Sequence, residues 1–117
     1  MKSNTSKSEK EYLKHMTDEI NYLLDSSREI SEERFMRDAT LQRAYTRSLE
    51  IIGEATKGLS EEFRVKYSEA DWKGMTGMRD RLINHYFGVD YEIVWDVIKN
   101  EIPKLKTQLQ EILDQME

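Results

Sequence analysis

Apolar side chains recur at helical spacing along most of this 117-residue chain, and this pattern limits the fold more than any other feature. No segment shows a convincing alternation with a period of two, which a half-buried strand would require. With only five glycines and one proline, few positions oppose a helix. We therefore predict an all-α fold, an antiparallel bundle of four to five helices with short connections. A single domain should span residues 1–117, with residues 1–7 expected to be disordered.

Capping residues and stripes of apolar side chains set the expected helix boundaries. The predicted helical segments are 8–24, 31–35, 38–57, 60–67, 71 to 84 or 86, one capped by Asp90, and a last one opened by Pro103. Gly53 lies inside the 38–57 helix, where glycine costs about 1 kcal/mol relative to alanine. We expect this cost to be accepted because another helix approaches closely there. Trp72 and Trp95 are interpreted as core anchors.

Charge and composition exclude several classes of function. The chain has 18 basic and 23 acidic residues, hence a net charge of −5, so a basic footprint over the whole domain is absent. The chain contains no cysteine, which excludes disulfides, thiol nucleophiles and cysteine zinc sites. No run approaches the roughly 20 apolar residues that span a bilayer, and no secretory segment follows Met1, so we expect a cytoplasmic protein without a membrane partner.

One group of side chains has spacing that could suit a metal ion. Glu11, His15, Asp18 and Glu19 fall on one side of the first predicted helix. A single histidine among carboxylates on a surface helix is more often a solvated face, and we favour that interpretation. We accordingly expect neither a metal nor a cofactor.

The chemically richest segment is residues 78–90, with the sequence MRDRLINHYFGVD. Arginine holds phosphate with a rigid fork of donors, and histidine can move a proton near neutral pH. That pair is the minimum needed to cut RNA without a metal. Arg79 would bind the scissile phosphate, and His85 would act as general acid or base on the 2′-hydroxyl or the leaving oxygen. Tyr86 would stack on a base or donate to phosphate.

An ideal helix does not bring these groups together. At about 100° per residue, Arg79 and Tyr86 lie within roughly 20° of each other, but Asn84 and His85 each lie well over 90° from Arg79. Convergence requires the helix to unwind after about Ile83, or a second copy of the chain to supply the other half.

A plain structural interpretation stays open beside the chemical one. Arg79 would then pair with an acidic neighbour. Glu50 and Glu54 of the 38–57 helix could pair with Arg47 or Arg43 of the same helix, or could orient Arg79. His85 would be a surface residue and Tyr86 a core residue. The protein would be a dimeric helical scaffold without catalytic function.

Residues 12–16, 41–55 and 77–95 together resemble the HepT-like branch of the HEPN superfamily. These are small all-α proteins, often encoded beside a minimal nucleotidyltransferase. The resemblance implies a homodimer in which two copies form an RNA-cutting cleft. It also implies a toxin that the nucleotidyltransferase neutralises as antitoxin, in some cases by adding AMP to a tyrosine of the signature.

The family signature is an arginine, a polar residue, a short spacer, a histidine, one further residue and a tyrosine. By resemblance, Arg79 matches the arginine, Asp80 its polar neighbour and Tyr86 the tyrosine that accepts AMP. Arg81 and Asn84 join Asp80 and Tyr86 as expected contacts to phosphate or RNA. The chain departs from the signature at Asn84, which stands where the branch has histidine, with His85 one position later. Either His85 takes over proton transfer, or this copy is a weakened subunit that binds nucleotide or partner.

Overall fold

A computed structural model describes residues 2–84 and 88–116, without the side chains of residues 2–8 and Asn84. The helices are α1 (Lys2–Arg28), α2 (Glu32–Phe35), α3 (Ala39–Gly58), α4 (Glu61–Lys66), α5 (Trp72–Thr76), α6 (Met78–Leu82), α7 (Tyr91–Asp96) and α8 (Ile102–Gln115). Strands β1 (Ile83–Asn84) and β2 (Gly88–Val89) pair between α6 and α7, and a π-helical turn (Val97–Glu101) joins α7 to α8. The predicted all-α class is confirmed.

Most helices begin at the positions that the capping residues in the sequence predict. The side chains of Ser31, Asp38, Ser60, Asp71 and Asp90 each accept a hydrogen bond from a backbone N–H in the first turn that follows. Such a bond satisfies one of the donors that a helix start leaves without an intrahelical acceptor. These five caps fix the starts of α2, α3, α4, α5 and α7.

Helices α1 and α3 form the centre of the bundle and run antiparallel. Near one end of the pair, the hydroxyls of Ser26 and Tyr45 are 2.6 Å apart; near the other, the Ser60 N–H donates to the Glu9 carboxylate over 3.2 Å. Lys99, in the π-turn, donates to the Ser27 carbonyl over 2.9 Å and so fastens the C-terminal helix to the end of α1.

The core between these helices is apolar and rich in aromatic side chains. Phe35 stacks between Tyr45 and Trp95, with ring centroids 5.2 and 5.3 Å away. Trp72 is also buried, and its indole N–H donates to the Tyr67 carbonyl over 2.8 Å. Both tryptophans are therefore the core anchors that the sequence predicted.

Gly53 lies at a close helix contact, as predicted. A Cβ atom built on Gly53 would stand 2.9 Å from the Met75 carbonyl oxygen and 3.6 Å from the Met78 Cβ. Only a residue without a side chain lets α3 approach the α5–α6 segment this closely.

Several predicted boundaries were wrong. Helix α1 runs from Lys2 to Arg28 rather than from about residue 8 to residue 24, while the expected disorder of residues 1–7 stays a prediction. The helix predicted from Asp71 to residue 84 or 86 is instead two short helices that meet at Gly77 and end at Leu82. Ile83 is extended, with φ −98° and ψ 127°, because it pairs with Val89 in a short ladder that the sequence did not reveal.

Pro103 lies in the first turn of α8 and so opens the last helix, as predicted, but the preceding helix does not end before it, contrary to the prediction. The chain stays helical from Tyr91 to Gln115 through the π-turn. Proline has no N–H to donate to the carbonyl of Lys99, four residues earlier, and its ring crowds that carbonyl. The wider turn, in which the Ile102 N–H reaches back to the Val97 carbonyl, accommodates the proline without a break.

Candidate functional site

The predicted site begins on α6, a helix of five residues that is too short to be stable alone. Met78 and Leu82 are buried and hold its inner side against the bundle. At its C-terminal end, the Asp90 N–H donates to the Leu82 carbonyl over 2.7 Å. The position of α6 therefore depends on its packing against the bundle and on the hydrogen bond from Asp90.

Arg79 lies on the outer side of α6 and is exposed. Among the described residues it has neither a hydrogen-bond acceptor nor an ion-pair partner. Of the two pairings open to Glu54, the structure has the one with Arg47, with a nitrogen–oxygen distance of 3.6 Å. Asp80 is also exposed. Within the described part of the chain, the guanidinium of Arg79 is thus open to a ligand from solvent.

Arg81 forms a bidentate ion pair with Glu101. Its Nη1 and Nη2 donate to Oε1 and Oε2 of Glu101 over 2.9 and 2.6 Å. These hydrogen bonds, which the Glu101 carboxylate accepts, raise the pKa of Arg81 above its ordinary value. Arg81 as an RNA contact stays a prediction, and this pairing favours a structural role for it.

The two arginines of α6 leave the helix in different directions. Residues two positions apart in an α-helix are separated by about 160° around the axis. The Arg81 side faces Glu101 and the C-terminal helix, so Arg79 points away from that side. Arg79 and Arg81 of one chain consequently cannot grip the same phosphate from α6.

The backbone leaves the helical path at Ile83. This is close to the position at which the helix would have to unwind for Arg79 and His85 of one chain to converge. In the ladder, Ile83 pairs with Val89 and Asn84 with Gly88. Gly88 has φ +80°, in the left-handed region that glycine adopts without strain. Residues 85–87, which join the two strands, lie outside the described residues, as does the Asn84 side chain. The roles assigned to His85, Tyr86 and Asn84 therefore stay predictions.

Arg79 does not line either of two surface cavities that the described residues form. One, of about 490 Å³, lies between α5 and α8 with Arg81, Glu101 and Lys104 in its wall. Another, of about 510 Å³, lies at α4 beside Trp72. Neither of these cavities therefore includes the exposed guanidinium of Arg79.

The described residues contain no cluster of three or more histidines and carboxylates that could hold a metal ion. In the group near His15, Glu19 instead accepts a hydrogen bond from the Ser48 hydroxyl over 2.6 Å.

Glu101 is the residue of this region that the sequence interpretation missed. It is distant in sequence from residues 78–90, and a glutamate among other charged residues gives no signal of a specific partner. Only the position of the C-terminal helix against α6 reveals it.

The fold and site define a small helical protein in which the short arginine-bearing helix α6 is followed directly by a short pair of strands. The family model described as "Ribonuclease HepT-like" matches residues 12–112, and the chain belongs to this HepT-like ribonuclease family. The expected membership in the HepT-like branch is thereby confirmed.

Several curated proteins are similar to the chain over nearly its full length. A protein of Caldanaerobacter subterraneus subsp. tengcongensis named "Putative RNase" is 50% identical over 107 residues, covering 92% of this chain and 96% of that protein. A protein of Thermococcus cleftensis named "Probable ribonuclease HepT" is 40% identical over 106 residues, covering 91% of this chain and 96% of that protein. No solved structure matches the chain. Along the described chain, helices long and apolar enough to cross a membrane are absent.

Proposed function

We propose that this protein is a metal-independent endoribonuclease that works as a homodimer. The observation that carries the proposal is the end of α6 at Leu82, directly after the turn that bears Arg79. On an ideal helix, His85 would lie well over 90° from Arg79, and the extended backbone at Ile83 removes that constraint. Family membership and the relatives named as ribonucleases support RNA as the substrate.

In the proposed mechanism, Arg79 binds the scissile phosphate and offsets the negative charge that grows on its oxygens in the transition state. His85 removes the proton of the 2′-hydroxyl or donates one to the leaving oxygen. The 2′-oxygen attacks phosphorus as the bond to the leaving oxygen breaks, so no external nucleophile is needed. Tyr86 and Asp80 contact the RNA beside this centre.

The dimer is proposed because Arg79 is exposed in one copy and lies outside both of the cavities described above. An exposed guanidinium on a flat surface is screened by water, whereas a second copy facing it would exclude water and strengthen its hold on phosphate. The net charge of −5 is consistent with RNA contacts confined to such a cleft.

The test is to incubate the purified protein with tRNA and mRNA in the presence of a chelator. The proposal predicts cleavage, and loss of cleavage in Arg79→Ala and in His85→Ala. The matched control is Arg28→Ala, which removes an arginine whose ion pair with Asp25 is exposed on α1. Absence of cleavage at high enzyme concentration contradicts the proposal.

We further propose that the protein is the toxin of a toxin–antitoxin pair and that a minimal nucleotidyltransferase neutralises it. In that reaction the Tyr86 phenol oxygen would attack the α-phosphorus of ATP, taking AMP and releasing pyrophosphate. Mass spectrometry of the protein after co-expression with the minimal nucleotidyltransferase tests this. An increase of one AMP that disappears in Tyr86→Phe supports it, and unmodified Tyr86 rules out the acceptor role.

A second candidate is a catalytically weakened subunit that binds the nucleotidyltransferase or its nucleotide. The observation that favours it is Asn84, since an amide cannot transfer protons near neutral pH. It predicts stable binding to the nucleotidyltransferase with no RNA cleavage. Cleavage that depends on His85 decides against it.

A further inference from the structure

The direction in which Arg79 leaves α6 depends on how this five-residue helix is held. Burial of Met78 and Leu82 fixes its inner side, but apolar contacts tolerate small rotations and shifts. Among the described residues, one ion pair joins α6 to another part of the chain, and that pair is Arg81–Glu101.

The geometry of this pair restrains direction as well as distance. Two hydrogen bonds, of 2.9 and 2.6 Å, join the two guanidinium nitrogens of Arg81 to the two carboxylate oxygens of Glu101. Such a bidentate pair is planar and resists rotation of either side chain. By contrast, the Arg47–Glu54 pair has a single contact at 3.6 Å.

Glu101 lies where the C-terminal helical segment departs from regular α-helical geometry. Glu101 is the last residue of the π-turn, directly before the segment that carries Pro103. A π-turn contains one residue more than an α-helical turn, so it rotates everything after it by about 100° relative to an uninterrupted α-helix. Such turns occur frequently at functional sites. Here the wider turn itself contains Glu101, the residue that pairs with Arg81.

We propose that Glu101 is a positioning residue for the RNA-cutting site, acting through Arg81 to fix α6 and the direction of Arg79. Its effect on cleavage rests on the proposed function, whereas its effect on α6 does not. Arg81 is then a structural link rather than an RNA contact.

Hydrogen exchange tests the link without any assumption about activity. The Asp90 amide, bonded to the Leu82 carbonyl, reports on the end of α6. In Glu101→Gln, which keeps the shape but removes the charge, exchange of this amide should be about 2- to 5-fold faster than in the wild type, the range expected when an exposed ion pair is lost. The control, Asp25→Asn, removes the exposed α1 ion pair with Arg28 and should leave this amide unchanged. Unchanged exchange in Glu101→Gln overturns the proposal.

Kinetics test the consequence for the site. Glu101→Gln should lower kcat by roughly 10-fold or more and change KM by less than about 2-fold, since small displacements of a catalytic group mainly affect the transition state. The exchanged pair, Arg81→Glu with Glu101→Arg, should recover most of the kcat that Glu101→Arg alone loses. A stable exchanged pair that stays inactive shows that Arg81 itself contacts RNA, and overturns the proposal.

The two claims fail in different ways. If the wild type cuts no RNA, the proposed ribonuclease function is wrong, and the exchange rate of the Asp90 amide alone decides the role of Glu101. If the wild type cuts RNA and Glu101→Gln cuts it equally well, the ribonuclease function stands and the positioning role is wrong.

Discussion

Gly53 lies against the backbone of Met75 so closely that a Cβ atom on the glycine would stand 2.9 Å from the Met75 carbonyl oxygen. Alanine normally stabilises the middle of a helix by about 1 kcal/mol relative to glycine. At this position the added methyl must move backbone, and overpacking costs about 1–3 kcal/mol. Gly53→Ala should therefore lower the free energy of unfolding, and Gly53→Leu should lower it further and disturb the proposed dimer. Urea denaturation and mass measurement in solution check both.

Gly77→Ala is the matched control for this prediction. A Cβ atom on Gly77 would meet its nearest neighbour, the Lys73 carbonyl oxygen, at 3.4 Å, which is ordinary contact. The loss of stability should therefore be clearly smaller than for Gly53→Ala. An unchanged melting temperature and dimer mass in Gly53→Leu would show that α3 does not need its close approach to α5 and α6.

Arg79 and Arg81 should respond differently to removal. Arg79→Ala should leave the free energy of unfolding within about 0.5 kcal/mol of the wild type, because the described residues give Arg79 no partner to lose. Arg81→Ala breaks the pair with Glu101 and should cost up to about 1 kcal/mol. Chemical denaturation at low and moderate salt measures both values. The account is contradicted if Arg79→Ala is the less stable of the two.

The pH dependence of stability should include a contribution from Asp38. The Leu41 N–H donates to the Asp38 carboxylate over 3.0 Å. This hydrogen bond, together with the nearby Arg34 guanidinium, lowers the pKa of Asp38 below its ordinary value of 3.8. A lowered pKa means a contribution that is present above the unfolded value and lost as pH falls through the folded one. The stability difference between wild type and Asp38→Asn should thus be constant near neutrality and shrink below about pH 4. A difference that stays constant down to pH 2 would show that the charge has no role.

Proton transfer can be tested by moving the imidazole. His85→Ala should reduce cleavage by about 100-fold or more, within the range for a general acid or base. Adding Asn84→His in that background should restore part of the activity, because position 84 is where the resemblance expects the family histidine. Initial rates on a defined RNA measure both steps. Full activity in His85→Ala would mean that the role assigned to His85 is wrong.

Much of the fold could be predicted from the sequence because its signals are local. Ser31, Asp38, Ser60, Asp71 and Asp90 cap helices through bonds to residues only a few positions ahead. Gly53 also gave a usable signal, since glycine is unfavourable within a helix unless something compensates.

The errors came from interactions that helical periodicity and capping signals do not reveal. Periodicity continued a helix through Ile83, but pairing with Val89 and the left-handed conformation of Gly88 favoured an extended backbone there. Pro103 opens the last helix as predicted, but the π-turn before it keeps the chain helical where a break was expected. Likewise, nothing local links Arg81 to Glu101, so the structural tie beside the predicted site could not be read from the sequence.

A mixed dimer tests the central claim most directly. One chain would carry both Arg79→Ala and His85→Ala and its partner would be wild type, with different affinity tags so that only the mixed species is purified. Because the extended backbone after Leu82 lets Arg79 act with His85 of the same chain, the wild-type chain keeps its own centre, and cleavage should stay at about half of the wild-type rate. A mixed dimer that forms fully but cuts RNA no faster than the double-variant homodimer would contradict the account.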